Sequence, residues 1–303
     1  MNAKRSAGVT QSADGSYASP GIKATKLVVG TVSWARGDDD EPLSRARFIE
    51  ALKASVAAKG KVPHVLLCAG HTLSTTPQAA TVLQATDDIP VIFETRNRDG
   101  SGSYRLAMVV DGAPTSIVLR NRQLVVHAGD ATPNGALQTK LVGLIAQGAG
   151  VIATSATGPA LVLLICGENN AVHHAKPPSV MHGGQNETLD VMKRPWVLLN
   201  PAHTPYATAG GGRVKIETGQ YGHGPMLGHL AAANTTFNDG TTSPIAVVHC
   251  NTFFVGDGAR AETTRRNSSV VFTRDSAGER LEPLLVVSDA APAASWIHAR
   301  YAL

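Results

Sequence analysis

Short apolar runs alternate along this chain with segments whose apolar positions recur at helical spacing. Lys26–Trp34, KLVVGTVSW, has the density of a central strand. After the acidic stretch 38–42, residues Leu43, Phe48, Ile49, Leu52 and Val56 share one face of a predicted helix, with Pro42 in its first turn and Gly60 ending it. His64–Ala69 is the next strand, and a strand–helix–strand opening favours parallel pairing. A second helix is expected over Pro77–Ala85 and a third buried strand over Pro90–Thr95. Tyr104–Asp111 and Thr115–Leu119 read as a hairpin around Gly112-Ala113-Pro114. Leu137–Ala146 suits a short helix or a loop with one turn. Val151–Thr154 and Leu161–Cys166 are expected to pair across SATGP. Further strands follow at Trp196–Asn200 and Ile245–Asn251, with helices around Glu187–Lys193 and Met226–Asn234. Ser268–Thr273 and Pro283–Ser288 are expected to close the chain as a strand pair.

Strands interleaved with helices yet punctuated by hairpins predict an α/β architecture with mixed sheets and helices outside. No period repeats and no linker divides the pattern. One domain over 26–303 is expected, after a small, polar leader over 1–25 that reads as flexible.

Composition narrows the picture. The chain has 303 residues, 43% hydrophobic and 17% charged, enough apolar material for a full core. The net charge of +4 is spread out. Its densest basic cluster, Arg260 to Arg266, is interrupted by Glu262 and reads as a solvated face, which argues against nucleic acid as a partner. Cys68, Cys166 and Cys250 are far apart without a CxxC pair, which points to free thiols in a reducing compartment. No signal-peptide core and no membrane-spanning run is present, so a cytoplasmic protein with no membrane partner is expected.

Candidate chemistry centres on Leu161–Asn170, LVLLICGENN. A buried strand delivers Cys166 to Gly167, where a sharp turn lets a nucleophile project and a substrate approach. The plain alternative is an inert packing thiol, the usual fate of a buried free cysteine. His173, His174, His182, His203, His223 and His229 make the following segment rich in possible metal ligands, but no pair has metalloprotease spacing. AGGGR at 209–213 lacks the GK[ST] ending of a phosphate loop. No cofactor or metal is expected.

The order of elements and several local phrases resemble the carbon–nitrogen hydrolase, or nitrilase, superfamily. HVLLCAGHTL stands where that family has a strand ending in a catalytic glutamate. IVLRNRQL stands where it has a lysine before a leucine, and LLICGENN where it has the cysteine elbow. WVLLNPAH and IAVVHCN are similar to its later strands, and SSVVFTRDSAGERLEPLLVVS to its closing hairpin. The resemblance implies a four-layer αββα sandwich, a homo-oligomer, and a thiol site acting on a small amide, nitrile or carboxylate.

Matched residue by residue, Cys166 keeps the nucleophile position. Gly70 replaces the glutamate, with His71 next, and Asn121 falls between Arg120 and Arg122 where the lysine belongs. Asp130 takes the place of a further family carboxylate. Two readings follow. In one, the thiol lacks its partners, stays protonated, and the fold keeps a binding pocket, or serves as a non-catalytic subunit or scaffold. In the other, Cys166, His71 and Asp130 form a rebuilt thiol triad and Arg120 or Arg122 supplies positive charge. Gly70, Asn121, Gly167 and Glu168 would line the substrate site in either case.

Overall fold

A computed structural model describes residues 17–18, 27–36, 44–70, 72–96, 102–124, 136–154, 158–171, 193–203, 244–255, 259–274, 280–288 and 296–303. The strands are β1 (Tyr17–Ala18), β2 (Val28–Arg36), β3 (Val65–Cys68), β4 (Val91–Arg96), β5 (Gly102–Val110), β6 (Ala113–Arg120), β7 (Val151–Ala153) and β8 (Ala160–Leu163). They continue with β9 (Trp196–Pro201), β10 (Ala246–Cys250), β11 (Phe253–Phe254), β12 (Ser269–Thr273), β13 (Leu285–Ser288) and β14 (Trp296–Ala302). The helices are α1 (Arg45–Ala57), α2 (Ala79–Ala85), α3 (Ala136–Ala146) and α4 (Ala259–Arg266).

Two mixed sheets result. One has six strands in the order β1-β7-β8-β9-β10-β12; the other has eight, in the order β13-β14-β2-β3-β4-β5-β6 with β11 added beside β2. The parallel pairs β2–β3, β3–β4, β8–β9 and β9–β10 form the two centres. These strands are apolar on both faces, as parallel strands covered on both sides must be.

The layers follow from where each apolar side chain goes. Leu161, Leu163, Val197, Leu199 and Val248 of the smaller sheet share a core with Val29, Val32 and Leu67 of the larger one. Their sequence neighbours Val162, Leu164, Trp196, Leu198 and Val247 turn the other way and bury Leu141 and Ile145 of α3. Helices α1 and α2 cover the outer side of the larger sheet through Phe48, Leu52, Val82 and Leu83. Period-two alternation in the strands thus builds the αββα sandwich expected from the sequence.

Several local expectations need correcting. Helix α1 starts at Arg45 with Ser44 as its N-cap, whose side chain accepts the Arg47 N–H, so Pro42 is not in its first turn. The hairpin turns at Asp111-Gly112, both at positive φ, and Ala113 and Pro114 already belong to β6. That left-handed pair matches the twist of the flanking strands better than the proline turn expected. Strands β12 and β13 do not pair as strands with each other: β12 joins β10 in the smaller sheet and β13 joins β14 in the larger. Strand β14, WIHARYA, was not foreseen, because His298 and Arg300 interrupt its apolar run. Tyr17–Ala18, inside the stretch read as a leader, pairs parallel with β7. The basic cluster at 260–266 lies on helix α4, with Ala261 and Thr264 buried.

His298 and Arg300 are both buried, and their polarity is consumed locally. His298 Nδ1 donates to Thr31 O at 3.0 Å, while its Nε2 accepts Arg300 Nε at 3.0 Å. Arg300 then caps the end of α1, donating to the carbonyls of Ser55, Ala58 and Lys61. The last strand is tied to the first helix by side chains that a hydropathy reading assigns to the surface.

Among the described residues, no helix is long and apolar enough to cross a membrane.

Candidate active site

The site lies past the C-terminal ends of parallel strands from both sheets, the edge where open α/β sheets gather their loops. Strand β8 runs through Leu164 and Ile165 to Cys166, which starts a 3₁₀ turn over Cys166–Ala171. Cys166 sits at φ 43°, a left-handed conformation costly for a residue with a Cβ. The strained turn lifts the thiol off the strand, and Cys166 is half-buried while Cys68 and Cys250 are fully buried.

What meets the thiol is His203, two residues beyond β9. The His203 ring, and after it the backbone N–H groups of His203 and Gly167, act on the Cys166 thiol as hydrogen-bond donors. Burial pushes the thiol pKa up, but these donors and the imidazole charge outweigh it and hold the thiol below its ordinary value. The converse holds for His203. Burial opposes its charge, yet Glu94 and Cys166 overcome that and raise it to about 10. Each group therefore favours the charged form of the other.

Glu94, on β4, completes the line. Its Oε2 lies 3.0 Å from His203 Nε2, and Tyr104 Oη lies 3.1 Å from the same nitrogen. Tyr104 is buried on β5, opposite Glu94 in register. Burial first, then the charges of Glu94, Cys166 and Glu168, keep its hydroxyl well above the usual phenol range, so it remains a donor and bonds Glu94. The Glu94 N–H is held by Thr72 Oγ1 at 3.2 Å, whose hydroxyl donates to Ala69 O at 2.8 Å.

Gly70 explains why the histidine fits. It follows β3, and its N–H donates to Ala202 O at 2.9 Å. A Cβ at this position would collide with the His203 ring and lie 2.9 Å from Ala202 O. The imidazole occupies the space that any side chain at 70 would need. On the other side, the carbonyl of His203 accepts Thr252 Oγ1 at 3.2 Å.

The remaining expected site residues fall elsewhere. Arg120 and Glu168 form a buried ion pair, Nη2 to Oε1, at 2.5 Å. Glu168 also accepts the N–H of Leu124 at 2.8 Å and of Ile165 at 2.9 Å. Burial raises its carboxyl pKa against the pull of Arg120 and these two donors. With three donors on its two oxygens, Glu168 anchors the loop ends beneath the elbow. Arg120 is committed to that anchor, which removes it from the place of a mobile cation. Asn121 and Arg122 are exposed, and no hydrogen bond joins either to Cys166 among the described residues. His71 and Asp130, the partners assigned to Cys166 from the sequence, lie outside the described residues. So do His173, His174, His182, His223 and His229; among the described residues, no group of three His, Cys, Asp or Glu side chains could hold a metal ion.

His203, Glu94 and Tyr104 were missed. His203 was grouped with the histidines of the following loop, and Glu94 was read as an interior position of PVIFET. A signal was present in each case: a carboxylate inside an otherwise apolar strand asks for a buried partner, and a glycine at a site position leaves space for one.

Fold and site together define a four-layer αββα protein carrying an imidazole-paired thiol. No family model matches the sequence, and no curated protein matches it. Among solved structures, glutamine-dependent NAD+ synthetase from Acinetobacter baumannii is similar over 91% of this chain, at 12% identity and a TM-score of 0.41, and the chain spans 46% of that protein. A carbon-nitrogen hydrolase from Helicobacter pylori is similar over 91% of this chain and 88% of its own, at 13% identity and a TM-score of 0.39. An N-terminal amidase is similar over 69% of this chain and 53% of its own, at 9% identity and a TM-score of 0.31.

Proposed function

We propose that this protein is a thiol hydrolase of a small amide-type carbon–nitrogen bond, with Cys166 as nucleophile and His203 as its proton partner. The observation that carries the reading is the line Cys166–His203–Glu94, with Glu94 Oε2 3.0 Å from the imidazole. A thiol, a base in contact with it, and a third group orienting that base are the parts nucleophilic catalysis requires. An impaired site presupposes a thiol without a base, and the imidazole of His203 beside Cys166 supports the active reading instead.

In this reading the Cys166 sulfur attacks the carbonyl carbon and the carbonyl π pair moves to oxygen, near the Gly167 N–H. The tetrahedral adduct collapses, the C–N bond breaks, and the His203 proton passes to the leaving amine. Water then adds to the thioester, its proton taken by His203, and C–S cleavage releases the acid and regenerates the thiolate. Glu94 orients the imidazole throughout and stabilises it whenever it is protonated, so the proton given up in the first half is regained in the second.

The experiment is competitive alkylation with iodoacetamide, read peptide by peptide, alongside amine or ammonia release from a panel of small amides. Cys166 is expected to react at least about 100-fold faster than Cys68 or Cys250 near pH 7, since both comparison thiols are buried and held above their ordinary pKa. Cys166→Ala should abolish amide turnover, and His203→Ala should slow both labelling and turnover. Equally slow labelling of all three thiols, or unchanged Cys166 labelling in His203→Ala, would sink the proposal.

A further inference from the structure

The peptide that follows the nucleophile carries two polar groups, and each has a fixed partner. Its N–H, on Gly167, is one of the groups that pull the Cys166 thiol below its ordinary value. Its C=O, on Cys166, accepts Asn200 Nδ2 at 3.0 Å. The same Nδ2 donates to Leu164 O at 2.6 Å. An amide nitrogen has two hydrogens, so both donations are made together, and the amide oxygen is left as an acceptor. His249 takes that oxygen: its Nδ1 lies 2.8 Å from Asn200 Oδ1. Because Oδ1 can only accept, Nδ1 must carry the hydrogen, and a flipped amide would lose both bonds to the carbonyls. Asn200 and His249 are buried and stand opposite each other on β9 and β10.

A trans peptide is planar, with its N–H and C=O pointing in opposite directions. Pinning the carbonyl therefore aims the N–H. Such a pin matters here because Cys166 holds a left-handed φ of 43°, a costly conformation that persists only where its surroundings hold it. We infer that Asn200, locked by His249, is a positioning residue that aims the Gly167 N–H at the Cys166 sulfur. It acts through the peptide and touches no reacting atom. The inference rests on the reading of Cys166 as nucleophile given above.

The test is the pH profile of Cys166 alkylation by iodoacetamide in Asn200→Leu, His249→Leu and His249→Gln. Leucine approximates the size of asparagine but donates nothing. The acidic midpoint of the profile is expected to rise by about one pH unit in Asn200→Leu, so that labelling well below the midpoint slows about tenfold. His249→Leu should move in the same direction, whereas His249→Gln, which keeps an amide donor for Oδ1, should stay near wild type. A packing role alone would lower the melting temperature in all three variants and leave the midpoint where it was. A folded Asn200→Leu protein with an unchanged midpoint overturns the inference; if that variant does not fold, an unchanged midpoint in His249→Leu does so. A wild-type midpoint at the ordinary thiol value of about 8.5 overturns the activated-thiol reading and this inference with it. A low wild-type midpoint that the variants leave unmoved overturns the inference alone.

Discussion

Gly70→Ala adds one methyl group at the point where the sequence departs from the glutamate expected there. The new Cβ would lie 2.9 Å from Ala202 O and from His203 Nε2, and closer still to the ring carbon between them. The carbonyl cannot retreat, because Gly70's own N–H holds it at 2.9 Å. The ring must move instead, and with it go the contacts of Nε2 to Glu94 and Tyr104. Overpacking of this kind costs about 1–3 kcal/mol, and separating a hydrogen-bonded charge pair adds about 1.5–3 kcal/mol. Stability should therefore fall by roughly 2.5–6 kcal/mol in urea unfolding, the sum of those two ranges, with relaxation drawing it towards the lower end. The functional loss should be larger in proportion, since displacing a general base removes about 10²–10⁴ in rate. Urea melts and the rate of Cys166 alkylation, measured on the same preparation, check both parts. A Gly70→Ala protein with wild-type stability and wild-type thiol reactivity would refute the placement of His203 over Gly70.

Two further outcomes follow from buried charge. Arg120→Met leaves Glu168 buried without its cation, and unfolding should become easier by about 3–5 kcal/mol; a loss below about 1 kcal/mol would mean the pair is not the anchor of the elbow. His298, whose pKa burial pushes down to about 4, is neutral in the native state, while an unfolded histidine titrates near 6.5. Below pH 6.5 the unfolded chain binds the proton first, so stability falls as pH drops from about 6.5 to about 4 and then levels off. The contribution of this residue is about 3 kcal/mol. Comparing urea midpoints of wild type and His298→Gln across that window isolates it, and parallel pH dependences in the two proteins would refute it.

The layers were legible because parallel strands buried on both faces are written as plain apolar runs. VLLC, ALVL, WVLLN and AVVHC all appear in the sequence as they appear in the sheets. The thiol was legible for the same reason, at the end of such a run with a glycine after it. What stayed hidden is polar and buried. Strand β14 spends His298 on Thr31 O of β2 and Arg300 on the carbonyls of Ser55 and Lys61 at the end of α1, some 240 to 270 residues earlier in the chain, and no local pattern reports a partner so distant. Glu94 and Tyr104 face His203 from strands of the opposite sheet, about a hundred residues away along the chain. Sequence neighbourhood pointed instead to His71, one residue past the empty position.

That empty position is where the site's chemistry turns. A proton acceptor is needed at a fixed distance from the sulfur, and which strand supplies it is secondary to where it sits. In this chain the segment leaving β3 has a residue with no side chain, Gly70, and the segment leaving β9 fills the gap with an imidazole. The exchange is coherent only if the rest of the shell changes with it. An imidazole needs a second group to hold its charge, and Glu94 with Tyr104 provides it. It also needs its main chain fixed, and the bonds from Gly70 N–H to Ala202 O and from Thr252 Oγ1 to His203 O do that on both sides. An imidazole that packed there merely to fill space would require neither the carboxylate nor the phenol. Both are buried at an energetic cost that their contact with His203 offsets, and this cost supports the proposed reading of the cluster as a proton relay over core packing.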